Sequence, residues 1–381
     1  MNRTRRLLLA AAVTLTAFAG AHAAEPIKIA ALVELSGAGV TSGTNFANGV
    51  QLAVKEINAA GGILGRPLQL SVSDTQSNPG VAKGLAQKAV DDNVFAVFGP
   101  VFSGSILVSM NETRRAEVPN FTGGEAAAIT KQGNPYIFRT SFTQDSAMPR
   151  VARYMANTLK AKTLALIYVN NDYGKGGREA LLKAIAPLGI QAVADVPTEQ
   201  GQLDFSAAAL KVKQSNADVV FVYTNEEEAA RALRELRKQG ITKPLVGETV
   251  LTSQKVIELA GDAANGAIAH VGLTVDAPIP GVRAFRAKFE KEFKYTPDHN
   301  GIKGYTGVYL MKAAIEKVGK VDRQAVAQAL HGLKVTVAQQ PGVLMDVSID
   351  ANGDIDRESF MTEAQAGKQV IKTVLPALGT K

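Results

Sequence analysis

The segment of this chain with the clearest chemical potential is residues 99–105, which read Gly-Pro-Val-Phe-Ser-Gly-Ser. It directly follows a buried strand predicted at 95–98 and enters a helix predicted at 104–116. Free amide hydrogens and the positive end of a helix dipole favour an anion there, and the Ser103 hydroxyl can add a hydrogen bond. We predict an anion site or, as the alternative, a helix that Ser103 or Ser105 merely caps. The candidate ligand-binding residues of this segment are Phe102, Ser103, Gly104 and Ser105.

A second candidate segment is residues 121–126, which read Phe-Thr-Gly-Gly-Glu-Ala. Here a short predicted strand ends in two glycines, which allow a backbone to approach a ligand closely. The alternative interpretation of the glycine pair is a plain surface turn. The candidate ligand-binding residues of this segment are Gly124, Glu125 and Ala126.

Three further candidates lie near the carboxyl ends of strands predicted between residues 163 and 271: Tyr173, Glu226 and Glu248. A tyrosine offers an apolar ring and a hydroxyl group to a small amphiphilic ligand. A carboxylate is the natural partner of an ammonium group. Glu226 also opens an acidic run, 226–228, at a helix start, so solvated acids that complement the helix dipole are the alternative.

The residue types argue against an enzyme. Residues 37–43 approach a dinucleotide fingerprint, but the third glycine is displaced and the next acid, Asp74, lies too far along the chain. The sequence has no cysteine, no Gly-x-Ser-x-Gly motif and few histidines. Residues 350–356 place oxygen donors at alternate positions but depart from a calcium loop, and they predict a hairpin turn. We expect no catalytic residues, no cofactor and no metal.

The N-terminus has the pattern of an export signal. Arg3, Arg5 and Arg6 precede an apolar stretch at 7–19 and a small-x-small site that ends at Ala23, so we predict a signal peptide at 1–23. Removing three positive charges lowers the formal net charge from +7 to +4, and interspersed acids and bases exclude a nucleic-acid surface. Without a cysteine, no lipid anchor or disulfide is expected. We predict a periplasmic protein that is monomeric.

Short apolar runs alternate with helical patterns along most of the chain, which predicts parallel strands covered by helices on both faces, a doubly wound α/β fold. The predicted strands are 27–33, 68–72, 95–98, 163–169, 191–196, 219–223 and 267–271. The predicted helices are 43–58, 79–91, 104–116, 148–159, 175–186, 205–214, 226–239, 284–293 and 304–318. After the last helix, 343–349 and 360–374 predict antiparallel strands with turns at Asn352-Gly353 and Ala366-Gly367.

The strand–helix cycle occurs twice, at about 27–139 and 163–271, so we predict two lobes. The terminal segment returns to the first lobe and finishes in the second, which predicts three crossings near 140–143, 273–277 and 345–348. The predicted lobes are 24–142 plus 275–346, and 143–274 plus 347–381. A hinge of three segments suits closure around a ligand.

The order and spacing of several motifs resemble the leucine/isoleucine/valine-type periplasmic binding proteins of ABC transporters. The motifs are Leu-Ser-Gly at 35–37, Ile-Asn-x-x-Gly-Gly-Ile-x-Gly at 57–65, Val-x-Gly-Pro-x-x-Ser at 97–103, Tyr-Gly-x-Gly at 173–176 and Asp-Phe at 204–205. The resemblance spans essentially the whole chain after the leader. It implies the type I periplasmic binding fold and delivery of a small solute to a membrane permease.

The resemblance also assigns expectations to residues. Ser103 matches the serine that holds the ligand's carboxylate, and Tyr173 matches a tyrosine of the pocket. Glu248 lies one residue from the amine-binding glutamate. Departures occur at Ser42, Glu226 and Asn300, where the family often carries aromatic residues, and at Glu125 and Ala126, where it places a hydroxyl residue. For His299 and Asn300, a surface loop after Pro297 is the favoured interpretation.

We therefore expect a binding component of an ABC importer for a branched-chain or related amino acid, with a carboxylate-bearing ligand and an inner-membrane permease as partners. An aromatic or other organic acid is the alternative ligand, and an exported ligand sensor is the alternative role. Whether Glu226 or Glu248 binds an amine stays open.

Overall fold

The computed structural model of the chain describes residues 25–379, so the predicted signal peptide and its cleavage site at Ala23 lie outside the described residues. Two parallel-stranded sheets dominate the described part of the chain. The first has the order β2-β1-β3-β4-β5, and the second has the order β15-β14-β10-β9-β8-β6-β7. The strands are β1 Ile27–Val33, β2 Leu68–Asp74, β3 Ala96–Phe98, β4 Asn120–Thr122, β5 Ile137–Arg139, β6 Thr163–Val169, β7 Gln191–Thr198, β8 Val219–Tyr223, β9 Leu245–Glu248, β10 Ile268–Val271, β14 Ser359–Gln365 and β15 Lys368–Leu375.

Helices cover both faces of each sheet. They are α1 Val40–Ala59, α2 Pro79–Asp91, α3 Ser103–Arg115, α4 Gln144–Asn157, α5 Asp172–Ile185, α6 Ser206–Ser215, α7 Glu226–Lys238, α8 Gln254–Ala260, α9 Pro280–Phe293, α10 His299–Val318 and α11 Arg323–Leu330. In β1, Ile27 and Ile29 pack into one apolar core while Ala30 and Leu32 pack into another on the opposite face. This alternation is the period of a strand that is buried on both sides. The predicted α/β architecture of two parallel-sheet lobes is confirmed.

The C-terminal part of the chain contains the predicted antiparallel hairpin. β14 pairs antiparallel with both β10 and β15, so it extends the second sheet at one edge. A small third sheet joins β11 Lys334–Val335, β12 Val347–Ile349 and β13 Ile355–Asp356, and the turn at Asn352-Gly353 connects the last two. The predicted strand 343–349 was too long, because Pro341–Val343 forms a 3-10 turn.

The order of the elements shows where the chain passes from one large sheet to the other. β5 ends at Arg139 before α4 begins at Gln144, and β10 ends at Val271 before α9. However, Val347, Ile349 and Ile355 pack into the core of the first lobe, beyond the predicted boundary at 346. The exact division at 142, 274 and 346 stays a prediction.

Several helices begin earlier than the sequence patterns predicted, and α8 and α11 were not predicted. α10 begins at His299, five residues before the predicted start, because Asp298 caps it by accepting the N–H groups of Asn300 at 2.7 Å and Gly301 at 3.4 Å. α10 crosses α1 closely, since a Cβ on Gly49 would lie 2.0 Å from the carbonyl oxygen of Gly301. This crossing fixes where the first turns of α10 lie.

Candidate functional site

A cavity of about 170 Å³ lies between the two sheets, where residues follow the carboxyl ends of several parallel strands. This is where ligands bind in open α/β sheets. Eight of the ten predicted site residues line the cavity, namely Phe102, Ser103, Gly104, Ser105, Gly124, Glu125, Tyr173 and Glu226. The other lining residues are Ser42, Ser77, Pro79, Val101, Gly123, Asn171, Asp172, Gln200, Asn225, Val250, His299, Asn300 and Lys303.

The start of α3 forms one wall of the cavity. Phe102 is the N-cap residue, and no side chain of the described residues caps the helix, so the interpretation of Ser103 or Ser105 as a mere cap is wrong. Ser103 Oγ accepts the Ala126 N–H at 3.3 Å. Ser105 Oγ is buried and has no hydrogen-bond partner within residues 25–379. Uncapped amide groups and a partnerless hydroxyl group suit an anionic ligand.

A buried carboxyl group that sequence reasoning missed holds the turn before α3. Glu34, directly after β1, accepts the N–H of Val101 at 3.1 Å and of Phe102 at 3.0 Å. Burial raises the pKa of Glu34 to about 7, although the two hydrogen bonds act in the opposite direction. The only sequence signal was a charged residue at the end of an apolar strand.

The segment after β4 is buried, so the interpretation of its glycine pair as a surface turn is wrong. A Cβ on Gly124 would lie 2.3 Å from Ile106 Cδ1, so this glycine allows close packing against α3. Ala126 does not line the cavity and contributes its N–H to Ser103. The guanidinium group of Arg139 donates to the carbonyl oxygens of Gly124 and Ala126, the latter at 2.9 Å.

Glu125 forms a buried ion pair with Lys303 of α10. The Lys303 Nζ lies 3.1 Å from Glu125 Oε1 and 3.3 Å from the Gly123 carbonyl oxygen. Tyr223 Oη donates to Glu125 Oε2 at 3.4 Å across the two lobes. Burial raises the pKa of Glu125 to about 7, and the attraction of Lys303 partly opposes this shift. Sequence reasoning missed Lys303 because it placed residues 299–303 before the helix.

Glu226 is also buried and lines the cavity, so the interpretation of this residue as a solvated acid is wrong. Ser42 Oγ donates to Glu226 Oε1 at 2.8 Å, which joins α1 to α7 across the cleft. Thr41 makes a similar interlobe hydrogen bond to Glu227 at 2.8 Å. Burial, together with the nearby carboxyl groups of Asp298 and Glu227, raises the pKa of Glu226 to about 8.

Glu248 was selected from the sequence as a candidate ligand-binding residue, but it does not line the cavity. It is the last residue of β9, and its register partner on β10 is His270. The His270 Nδ1 lies 3.0 Å from Glu248 Oε1, and burial lowers the pKa of this histidine to about 3. Glu248 therefore pairs with a neutral histidine inside the second lobe.

Tyr173 lies against the cavity as predicted, and its ring stacks on Tyr223 with centroids 4.3 Å apart. His299 and Asn300 are buried in the first turn of α10 and line the cavity, so the predicted surface loop is wrong. Sequence reasoning also did not select Ser77, Pro79, Gln200 and Val250, which carry no local motif.

Residues 26–369 match a family described as periplasmic binding protein. The chain belongs to this family. The Leu/Ile/Val-binding protein BraC3 of Rhizobium johnstonii is 30% identical over 374 residues, which cover 96% of this chain and 99% of that protein. Family membership confirms the expectation of a non-enzymatic, solute-binding component of an ABC transporter.

Two solved structures illustrate the shared fold. The branched-chain amino acid transporter substrate-binding protein LivJ of Streptococcus pneumoniae, in complex with isoleucine, is 26% identical, with a TM-score of 0.84 over 92% of this chain and 99% of that chain. A solute-binding protein of R. palustris, in complex with benzoate, is 21% identical, with a TM-score of 0.85 over 93% of this chain and 98% of that chain. At such identities the fold is shared, while the ligands of the two proteins differ.

Two further observations concern residues 25–379 alone. No helix in this range combines the length and apolar character needed to cross a membrane. No cluster of three or more histidine, aspartate or glutamate side chains in this range could hold a metal ion.

The buried carboxyl groups predict how stability depends on pH. Burial raises the pKa of Glu34 and Glu125 to about 7 and that of Glu226 to about 8, so the folded protein binds more protons than the unfolded chain up to these values. The folded state therefore loses stability as pH rises. Without ligand, we expect the melting temperature to fall as the pH rises from about 7.5 to about 9, a range that begins about one pH unit above the pKa of unfolded histidines.

Thermal unfolding of the ligand-free protein at several pH values measures this effect. The variant Glu226→Gln, which cannot ionise, should show a smaller decrease over the same range. A melting temperature that rises over that range would contradict the raised pKa values of these carboxyl groups in the folded state.

Proposed function

We propose that this protein is the periplasmic substrate-binding component of an ABC importer, which captures a small carboxylate-bearing solute between its lobes and delivers it to an inner-membrane permease. The observation that carries this proposal is the start of α3, where an uncapped helix N-terminus and the partnerless Ser105 hydroxyl face the cavity. Ser103 and the amide groups of Gly104 and Ser105 hold the carboxylate. The N-terminal leader of the sequence supports export.

The size of the cavity restricts the ligand. An apolar protein cavity of about 150 Å³ accepts a molecule as large as benzene. A cavity of about 170 Å³ therefore suits a single amino acid or a single-ring acid, and excludes nucleotides and oligosaccharides in the closed form.

Amino acids are the first ligand class. The acidic side chain of Glu125 lies next to the Ser103 site, because the following residue, Ala126, donates its N–H to Ser103. An ammonium group beside the carboxylate would reach this carboxyl group, which retains acceptor capacity beyond its bonds to Lys303 and Tyr223. The relatives named for leucine, isoleucine and valine support this class.

Aromatic acids are the second ligand class. The side chains of Phe102 and Tyr173 in the cavity wall favour this class. Aromatic rings pack well against such side chains. In addition, Lys303 already neutralises Glu125, so a ligand without an ammonium group would leave no charge unpaired at that position. A sensor that passes its closed form to a membrane receptor would use the same cavity.

A thermal-shift screen of refolded, ligand-free protein tests the proposal. Amino acids, single-ring aromatic acids and short dicarboxylates should each be compared with the corresponding primary amide. We expect at least one acid to raise the melting temperature with a concentration dependence that its amide lacks, because a ligand that binds only the folded state stabilises it. Stabilisation by neutral amides alone would contradict carboxylate recognition.

The three chain crossings support closure by rotation of rigid lobes. The contacts of Thr41 with Glu227 and of Ser42 with Glu226 join the lobes in the present arrangement. Both contacts should break when the cleft opens. Small-angle scattering with and without the ligand found in the screen measures this closure, through the radius of gyration of the protein.

A further inference from the structure

Three departures from the resembling family converge on one part of the cavity. Ser42, Glu226 and Asn300 occupy positions where branched-chain amino-acid binders often carry aromatic side chains, and they come from α1, α7 and α10 respectively. All three line the same cavity. We call these three residues the acceptor group, because their free capacity is for accepting hydrogen bonds.

The acceptor group contains a carboxyl group with no cation. Glu226 is 2% exposed, and its hydrogen bond to Ser42 at 2.8 Å gives it a neutral partner. Within residues 25–379, no lysine, arginine or histidine lies within ion-pair distance of it. A buried carboxylate without a positive partner is costly, so this carboxyl group ionises favourably only beside a cation, and a ligand that supplies one gains affinity.

Asn300 adds an acceptor of fixed orientation. Its amide nitrogen donates to Asp298 Oδ2 at 3.4 Å, which places the amide oxygen on the other side. Asn300 Oδ1 is buried and has no hydrogen-bond partner in the described part of the chain. A buried acceptor of this kind is expected to bond to something.

The basic groups near the acceptor group do not satisfy it. Lys303 is engaged with Glu125 at 3.1 Å and with the Gly123 carbonyl oxygen at 3.3 Å. Burial lowers the pKa of His299 well below its usual range, so this neighbour stays neutral. Asp298 and Glu227 add negative character around Glu226. The surroundings therefore favour a hydrogen-bond donor or a cation from the ligand.

We propose that the acceptor group selects ligands that carry, in addition to their carboxylate, a second group that donates hydrogen bonds, and that it rejects ligands with a purely aliphatic or unsubstituted aromatic end. This inference deepens the proposed function and rests on it, because it takes Ser103 as the carboxylate anchor. It holds for either ligand class. The protein is thus a receptor for polar-ended acids and differs in this respect from a leucine binder.

Two matched pairs of acids test the inference by isothermal titration calorimetry. Norvaline and ornithine differ in a terminal ammonium group, and benzoate and 4-hydroxybenzoate differ in a hydroxyl group. We expect the donor-bearing member of at least one pair to bind about tenfold tighter or more than its partner, because a site built for a donor rejects an analogue that lacks it. Glu226→Leu should abolish or invert this preference. It should preserve folding, since an apolar residue replaces a buried acid.

Glu235→Gln is the matched control, because Glu235 lies further along the same helix, α7, pairs with Lys238 and does not line the cavity. It should leave the ratio within each pair unchanged. Ser103→Ala should weaken both members of a pair equally, and a failure of that result alone would count against the carboxylate anchor. Equal or tighter binding of norvaline and benzoate, a preference that survives Glu226→Leu, or no binding by any of the four compounds would overturn the inference.

Discussion

Replacing Arg139 by methionine is expected to lower the free energy of unfolding by about 3 to 5 kcal/mol, the cost of removing one member of a buried, hydrogen-bonded charge pair. Arg139 is fully buried, and its Nε donates to Asp354 Oδ1 at 2.6 Å. The same guanidinium group holds the carbonyl oxygens of Gly124 and Ala126. Its removal therefore leaves several buried acceptors without a donor.

The loss of the Arg139 guanidinium group should also disturb the binding site, because this group holds the segment 124–126, which carries Glu125 and supports Ser103. We expect weaker binding of the ligand by about tenfold or more, together with the lower stability in urea unfolding. Arg139→Lys keeps the charge but not the planar fork of donors, so it should recover only part of the loss.

Arg178→Met is a suitable control for Arg139→Met. Arg178 pairs with Asp195, but both side chains are about one-third exposed, so this pair is worth at most about 1 kcal/mol. Equal destabilisation by the two variants would show that the network of Arg139 has no special role.

Ser103→Ala is expected to weaken binding of the acid ligand by about 1.5 to 3 kcal/mol, roughly tenfold to a hundredfold, because it removes one charge-assisted hydrogen bond. Since Phe102 is the N-cap residue, the change should not cost the stability of a lost cap. The affinity for the corresponding amide or ester should change far less. Calorimetry on both ligands separates these effects, and an equal loss for acid and amide would contradict the carboxylate assignment.

The effect of Ser105→Ala on binding can be compared with that of Ser103→Ala. Its hydroxyl group has no partner within residues 25–379, whereas that of Ser103 already accepts a backbone hydrogen bond. If the carboxylate contacts both side chains, each single variant should weaken binding, and their effects should not be additive, because neighbouring groups share one ligand.

Local sequence patterns predicted the parts of the site that follow strands. The run before Gly99 is short and apolar, and the serines after it begin a helix, so the strand, the turn and the helix start could be predicted together, and the candidate anion site rests on them. The candidate residues near Thr122 and Tyr173 could be selected for the same reason, because each group follows a predicted strand. A motif at a strand end depends on about ten consecutive residues, and the sequence contains all of them.

The sequence could not predict contributions that depend on distant packing. Asn300 and Lys303 reach the cavity because α10 starts at His299 and crosses α1 at Gly49, a contact between residues some 250 positions apart. Glu248 does not line the cavity for a different reason. A side chain at the end of a strand points to one face of the sheet or the other, and the register of β9 with β10 directs this carboxyl group to His270.

The sequence also did not predict that several acidic side chains would be buried. Glu34 follows an apolar strand, Glu125 follows two glycines and Glu226 lies in a run of polar residues, and for a glutamate a solvated position is the ordinary expectation. Their burial follows from packing between elements that are distant in the sequence, and their partners lie in other elements: backbone N–H groups, Lys303 and Ser42 respectively. Carboxyl groups of this kind define the chemistry of the cavity.

A crystal structure with the tightest acid found in the screen tests the central claim most directly. The account predicts the ligand between the lobes, with its carboxylate about 2.7 to 3.0 Å from Ser103 Oγ and from the amide nitrogens at the start of α3. A carboxylate bound instead to Lys303, or a ligand bound outside the cleft between the two sheets, would contradict it.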